Sequence, residues 1–303
     1  MYNYNSSLKS RSSDELINTY VLRPIAGMIV RALYPTSITP NQVTLASILA
    51  GLVAAGFYYA GSQASIVVAG ILITVKDILD SADGQLARAK SQFSRKGRFL
   101  DSIGDVVVNV AVFSAIGWTL YRQTGDWMMI VLSFVGFVAI TLRVSYHVFY
   151  HTSFLHLQGQ YKINRLLEDV TEVDHQADPS TLRLQQIFVL IYGWQDRLML
   201  LIDTWCKGGE REETLRNEWY GDVAGLRLSG LLGFGTELFL LMICSVANQL
   251  ELYLILNVAG MNLILLTSVV YRRVVLRRRL RITNRRVTGE VGETDEASRG
   301  SLQ

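Results

Sequence analysis

Cysteine is almost absent: Cys206 and Cys244 are the only two in 303 residues, which excludes a disulfide framework and any cysteine-based metal finger. Proline is nearly as scarce, at four, and charged residues make up only 18%, against about 25% in an ordinary soluble domain. A cleavable secretory leader is not expected, because the polar stretch from Asn3 to Lys9 is not a basic region followed by an apolar core. No internal repeat is found. Nothing points to nucleic acid as a partner.

What remains is hydrophobic. Half of the residues are apolar and the mean hydropathy is +0.25, the profile of a polytopic membrane protein rather than a soluble enzyme. A membrane span needs about 20 predominantly apolar residues. Such runs lie at 40–61, 64–86, 99–121, 127–149, 227–248 and 251–271. The expected fold is therefore all-α, with six transmembrane helices. Lys90, Arg95, Lys96 and Arg98 separate the second and third runs, and Arg272, Arg273, Arg277, Arg278, Arg279 and Arg281 follow the last. The turns near Gly61, Gly125 and Gln249 carry almost no Lys or Arg, so the basic segments are expected on the cytoplasmic side, with both termini there.

Residues 16–33 read as an amphipathic helix on that membrane surface, with Ile17, Tyr20, Val21, Ile25, Met28 and Ile29 apolar. An ordinary packed helix fits the same pattern. The stretch 184–205 is nearly long enough to cross, but Gln195, Asp196 and Arg197 interrupt it; it is expected to lie at the interface. It belongs to an acidic insert, 152–226, with twelve Asp or Glu against seven Lys or Arg. The organisation expected is a juxtamembrane segment at 1–38, a transmembrane catalytic domain at 39–275 and a basic, then disordered, tail at 276–303.

The chemistry is concentrated between Asp80 and Asp105, where the chain reads DSADGQLARAKSQFSRKGRFLDSIGD. Asp80 and Asp83 are three apart, and Gly84, Ala87 and Arg88 continue that helical face; Asp101 and Asp105 are four apart on the next helix. If the faces meet, four carboxylates converge. They cannot all stay ionised near lipid without compensation, and a divalent cation supplies it. Oxygen-only ligation favours Mg²⁺, Mn²⁺ or Ca²⁺ over Zn²⁺. Gly84 and Ala87 keep a groove open beside the acids, and Arg88 offers a fixed positive fork for phosphate.

The pattern DxxDGxxAR, eight residues, GxxxDxxxD resembles the signature of the CDP-alcohol phosphotransferase family. These are the integral membrane enzymes that include phosphatidylinositol phosphate, phosphatidylglycerol phosphate and phosphatidylserine synthases. All eight defining positions are present, as Asp80, Asp83, Gly84, Ala87, Arg88, Gly97, Asp101 and Asp105. The stretch from Thr36 to Leu52 resembles the start of the family's first membrane helix, and the likeness runs to about residue 150. It implies a CDP-linked donor, CDP-diacylglycerol by preference, whose diphosphate is bound with Mg²⁺ or Mn²⁺ while the hydroxyl of a small polar alcohol attacks and CMP leaves. By matching position, Asp80, Asp83 and Asp101 are metal ligands, and Asp105 is the base with a ligand role left open. Gly84 and Ala87 line the nucleotide groove, Arg88 holds a donor phosphate, and Gly97 turns the cytoplasmic loop. The resemblance also implies a homodimer in the cell's inner membrane.

Outside the signature, Arg143, His147, Tyr150 and His151 share a face of the fourth span, and Arg143 and His147 are candidates to bind the acceptor. Glu237 lies inside the fifth span, where an acid needs a partner; Asn257, Asn262 or a facing helix would supply it. Asp77, one turn before Asp80, is a supporting group or a partner of Lys76. Three competing readings stand: transfer of a phosphoaminoalcohol from its CDP ester to diacylglycerol, divalent-cation transport along the aspartates, and a non-catalytic scaffold.

Overall fold

A computed structural model describes residues 15, 17–159, 168, 170, 178–208 and 216–282. The polar start at 3–9, the terminal segment 283–303 and much of the acidic insert lie outside the described residues. Among these residues the protein is helical, without a strand. A π-helical turn, Asn18–Leu22, leads into α1, Arg23–Leu33. The main helices follow as α2, Pro40–Ala60; α3, Gln63–Ala89; α4, Arg95–Thr124; α5, Met128–Leu157; and α6, Pro179–Lys207. Three shorter helices are α7, Arg216–Tyr220, α8, Val223–Gly230, and α9, Phe234–Val246. The last, α10, covers Leu250–Ile282 and includes two π-helical turns.

Local chemistry fixes the boundaries. Thr39 and Gln42 form a capping box at the start of α2, with Pro40 in the first turn. Ser62, Ser94 and Asp178 cap α3, α4 and α6 by accepting from the backbone N–H three residues on. Gly61 and Gly125 end α2 and α4 in the left-handed region, each with φ +72°.

Among the described residues, five segments are long and apolar enough to cross a membrane: α2, α4, α5, the run from α7 to the end of α9, and α10. The protein is an integral membrane protein. The sixth expected span, α3, has 27 residues, about 40 Å at 1.5 Å per residue. Its second half carries Lys76, Asp77, Asp80 and Asp83, so it lacks an apolar window of full length. It nevertheless packs between α2 and α9, and buries Ile66, Ala69 and Ile73 in the main core with Tyr58, Val108, Ile116 and Leu241.

Small residues let these helices approach closely. A Cβ on Gly104 of α4 would lie 2.2 Å from Ile48 Cδ1 of α2, and one on Gly51 of α2 would lie 2.5 Å from Val108. Gly70 of α3 meets Ser245 of α9 in the same way, at 2.6 Å.

Two polar networks tie the bundle together. In the first, Arg143 of α5 and Glu237 of α9 form a buried ion pair, Nη2 to Oε2 3.0 Å, with side-chain exposures of 0% and 1%. Nη1 of Arg143 also donates to Asn257 O at 3.0 Å and Asn262 Oδ1 at 2.9 Å. Asn257 Nδ2 and Tyr253 OH donate to Glu237, so the acid has the partner that its depth demands. In the second, Asp203 of α6 accepts from Tyr150 OH, Trp219 Nε1 and Tyr220 OH at 2.8–3.0 Å and pairs with Lys207.

Helix α6 is not among the membrane-length apolar helices. Phe188 packs on Phe99, and Tyr192 OH donates to Ser102 O, both near the start of α4. Gln195 and Asp203 meet Ser145 and Tyr150 near the end of α5, and the far end of α6 meets Arg273 and Arg277 of α10. These contacts lay α6 across the end of the bundle where α4 begins and α5 and α10 finish. Gln195 is turned inward and buried, so the polar interruption of this helix is partly internal packing rather than exposure to water. Helix α1 packs Ala26 and Val30 against Val43, Ala82 and Leu86. Tyr20 and Met28 stay exposed, so the segment has a packed face and a separate exposed apolar one.

Candidate active site

Helices α3 and α4 run antiparallel, joined by only five residues, Lys90–Ser94. This short turn brings the two halves of the aspartate motif face to face. Asp80 of α3 and Asp101 and Asp105 of α4 each offer an oxygen, and the three lie within 4.8 Å of one another. All three residues are half-buried. Asp83 is more deeply buried, 7% exposed, and accepts a hydrogen bond from Thr44 Oγ1 of α2. The four acids therefore divide into a convergent group of three and a fourth held alongside by a hydroxyl.

The donor set is all oxygen and all carboxylate, which fits a hard divalent cation and not a soft one. Three anionic groups this close need positive charge. Part of it is already supplied by the chain. Lys76, one turn before Asp80, is buried with its Nζ hydrogen-bonded to Asp105 Oδ1 and 3.7 Å from Asp80 Oδ1. The ring of Phe234, at the start of α9, sits 4.9 Å from the same ammonium.

The other motif residues take the following places. Arg88 folds back one turn, so that its Nη1 lies 3.5 Å from the position of a Cβ on Gly84. The guanidinium thus caps the face that carries Asp80, Asp83 and Gly84. Ala87 is half-buried on that face. Gly97 does not turn the loop, contrary to the sequence expectation. It is the third residue of α4, where its N–H donates to the capping Ser94 Oγ at 2.9 Å, and a Cβ there would lie 2.5 Å from Asn41 Oδ1. A Cβ here would have to displace the Asn41 side chain of α2, while the backbone at Gly97 is ordinary helix.

The acceptor candidates do not join one another. Arg143 is taken up by Glu237, Asn257 and Asn262. His147 lies 3.8 Å from Glu15 Oε1 and faces the ring of His151. Asp77 turns toward α9, its Oδ2 3.7 Å from where a Cβ on Gly235 would sit. Sequence reading alone missed Thr44 and Phe234 and placed Lys76 only as a partner of Asp77. A signal for Lys76 was present, since an ammonium inside a span requires anionic neighbours and Asp80 is four residues on.

Residues 37–166 match the family model described as CDP-alcohol phosphatidyltransferase. This segment is similar to CDP-alcohol phosphatidyltransferases. It takes in α2 to α5, and hence every residue of the aspartate site. The chain is 37% identical over 121 residues to a bifunctional IPC transferase and DIPP synthase of Archaeoglobus fulgidus, covering 40% of this chain and 24% of that protein. It is 38% identical over 109 residues to an archaetidylinositol phosphate synthase of Pyrococcus horikoshii, covering 33% of this chain and 56% of the relative. A second bifunctional IPC transferase and DIPP synthase, from Thermococcus kodakarensis, is 28% identical over 130 residues, 29% of its length. The chain therefore spans between about a quarter and about half of the length of these relatives.

Proposed function

We propose that the protein transfers a phosphatidyl group from CDP-diacylglycerol to the hydroxyl of a small polar alcohol and releases CMP. The observation that carries this reading is the convergence of Asp80, Asp101 and Asp105 within 4.8 Å, beside Asp83 and the Arg88 guanidinium, in a segment that matches the CDP-alcohol phosphatidyltransferase model. Asp80, Asp83 and Asp101 are the proposed ligands of Mg²⁺ or Mn²⁺. A bound divalent ion supplies neutralisation of the donor's diphosphate and of the charge that builds on the departing phosphate.

The chain's own groups do the rest. Arg88 binds a donor phosphate through its planar fork, and Gly84 and Ala87 leave room for the nucleotide beside it. Asp105 accepts the proton of the attacking hydroxyl on Oδ2, because Oδ1 is engaged by Lys76. The acceptor oxygen forms the new P–O bond, the bond between that phosphorus and the bridging oxygen breaks, and CMP keeps the oxygen. Thr44 holds Asp83 in place.

The names of the relatives make a phosphorylated polyol, such as inositol phosphate, the first acceptor to try; Arg143 and His147 remain the candidates on that side. The site is proposed to face the cytoplasm, supported by the Lys and Arg residues around α3–α4 and at the end of α10. A homodimer completes the reading, supported by family resemblance. Purified protein with Mg²⁺ or Mn²⁺ and CDP-diacylglycerol, offered inositol phosphate, glycerol phosphate, serine and other alcohols, is expected to release CMP only with its own acceptor. Release from CDP-aminoalcohols with diacylglycerol instead would reverse which substrate carries the lipid. Metal uptake without CMP release would favour cation transport, a reading opposed by the fixed charges of Lys76 and Arg88.

A further inference from the structure

We propose that Tyr192 of α6 is a specificity-determining residue of the aspartate site: its phenol oxygen accepts a hydrogen bond from a hydroxyl of the acceptor polyol other than the one that attacks. The inference rests on the transferase reading and deepens it. It concerns a helix, Pro179–Lys207, that begins beyond the segment 37–166 matched by the family model.

Placement is the first support. Tyr192 OH donates to Ser102 O of α4 at 2.8 Å. Ser102 follows Asp101 and stands three residues before Asp105, so the bonded carbonyl lies at a level between the two acids along the helix axis. Burial, and then the negative charges of Asp105 and Asp101, hold the phenol well above the usual tyrosine range. The two acids are thus its electrostatic neighbours, and its proton stays on the oxygen. The groove proposed for the nucleotide, at Gly84, Ala87 and Arg88, belongs to α3. Tyr192 comes instead from the α4 side, where Asp105 is proposed to take the acceptor's proton. One turn further along α6, Gln195 Oε1 accepts from Ser145 Oγ, and Ser145 stands between Arg143 and His147 on α5. Helix α6 therefore links the helix of the proposed base to the helix of the acceptor candidates.

Fixed orientation is the second support. The rings of Phe99, Phe188 and Tyr192 follow one another, with centroids 5.2 Å and 4.8 Å apart. The Arg98 guanidinium lies over the first two at 4.8 Å and 5.8 Å. This stack and the bond to Ser102 hold the phenol from two directions, while the residue stays half-buried rather than closed off.

Hydrogen-bond chemistry is the third support. A phenol has one proton to donate and lone pairs that accept. With the proton committed to Ser102 O, the oxygen offers acceptance alone. It suits a hydroxyl and disfavours a phosphate or carboxylate oxygen, which has no proton to give.

The test measures CMP release by full-length protein in detergent micelles, with monodispersity checked by size exclusion. It compares kcat/KM for inositol phosphate with that for analogues lacking one non-attacking hydroxyl, or for glycerol phosphate and its deoxy analogue if that is the alcohol used. Wild type is expected to lose about tenfold on one analogue, the size of one neutral hydrogen bond. In Tyr192→Phe the loss on that analogue should shrink to below about twofold, with KM for CDP-diacylglycerol unchanged. Ser145→Ala cuts the other tether of α6 and keeps the tyrosine, and it is expected to discriminate as wild type does. Equal discrimination by wild type and Tyr192→Phe would overturn the inference. So would its loss in Ser145→Ala, since the phenol would then act only by holding α6. A wild type indifferent to every non-attacking hydroxyl, or one that uses only alcohols without a second hydroxyl, would overturn it without any variant and leave the transferase reading standing. No CMP from wild type with any donor and acceptor would overturn the transferase reading and the inference together.

Discussion

Replacing Glu237 with leucine tests whether the buried pair with Arg143 is structural. Both side chains are essentially inaccessible and their charged atoms are 3.0 Å apart. At that separation the attraction is about 5.5 kcal/mol for an effective permittivity of about 20. Desolvation of two ions offsets much of it, so the pair itself contributes little net stability against an apolar replacement of similar volume. Removing one partner is different, because it strands the other charge. Glu237→Leu leaves the Arg143 guanidinium without its counter-ion and deprives Asn257 Nδ2 and Tyr253 OH of their acceptor. The expected loss is about 3–5 kcal/mol. Arg143→Met should cost a similar amount, and the double variant should recover most of it, so that the two single losses together exceed that of the double variant by at least about 3–5 kcal/mol. Unfolding of the purified protein in mixed dodecylmaltoside and dodecyl sulfate micelles measures all four species. A Glu237→Leu loss below about 1 kcal/mol, or costs that simply add in the double variant, would refute the reasoning. Acceptor affinity measured on the same folded double variant separates the two roles of Arg143: an unchanged KM assigns it to the bundle, and a large rise assigns it to the acceptor.

Three further outcomes follow from single contacts. Thr44→Val removes the hydroxyl that orients Asp83 and is expected to weaken Mn²⁺ binding by about tenfold or more, measured by titration, with little change in melting temperature. Gly104→Ala places a methyl 2.2 Å from Ile48 Cδ1 and should destabilise by about 1–3 kcal/mol; a second change, Ile48→Ala, should restore part of the loss in thermal unfolding. Asp203→Leu leaves Tyr150, Trp219 and Tyr220 without their shared acceptor, so α6 should detach from α5 and become accessible to added protease, while the spans remain protected.

What could be read from the chain alone is what is encoded locally. The helical class, the capping box at Thr39 and the helix-ending glycines are decided within a few residues of themselves. The aspartates share this property, because Asp80 to Asp83 and Asp101 to Asp105 are helical repeats joined by a five-residue turn. Asp83 was read as one more member of the group, and its diversion onto Thr44 depends on a residue 39 positions away. The partner of Glu237 lies 94 positions away, and no periodicity reports which of several facing helices brings it. The loop-turning role of Gly97 is implied by family position alone, and the approach of Asn41 from α2, far off in the chain, is not visible in that match. Gln195 interrupts an apolar run and suggests water, yet its partner is Ser145 on a neighbouring helix. Such residues are legible as requiring a partner, and the fold alone says which.

The most direct test of the proposed chemistry is CMP formation from CDP-diacylglycerol and acceptor by wild type and Asp105→Asn, with Mn²⁺ binding measured on the same samples. The expected result is that wild type releases CMP while Asp105→Asn keeps its Mn²⁺ and loses activity by about a thousandfold, as for removal of a general base. Release of CMP by Asp105→Asn at the wild-type rate would contradict its assignment as the base. Absence of CMP from wild type with every donor and acceptor tried would contradict the transferase reading itself.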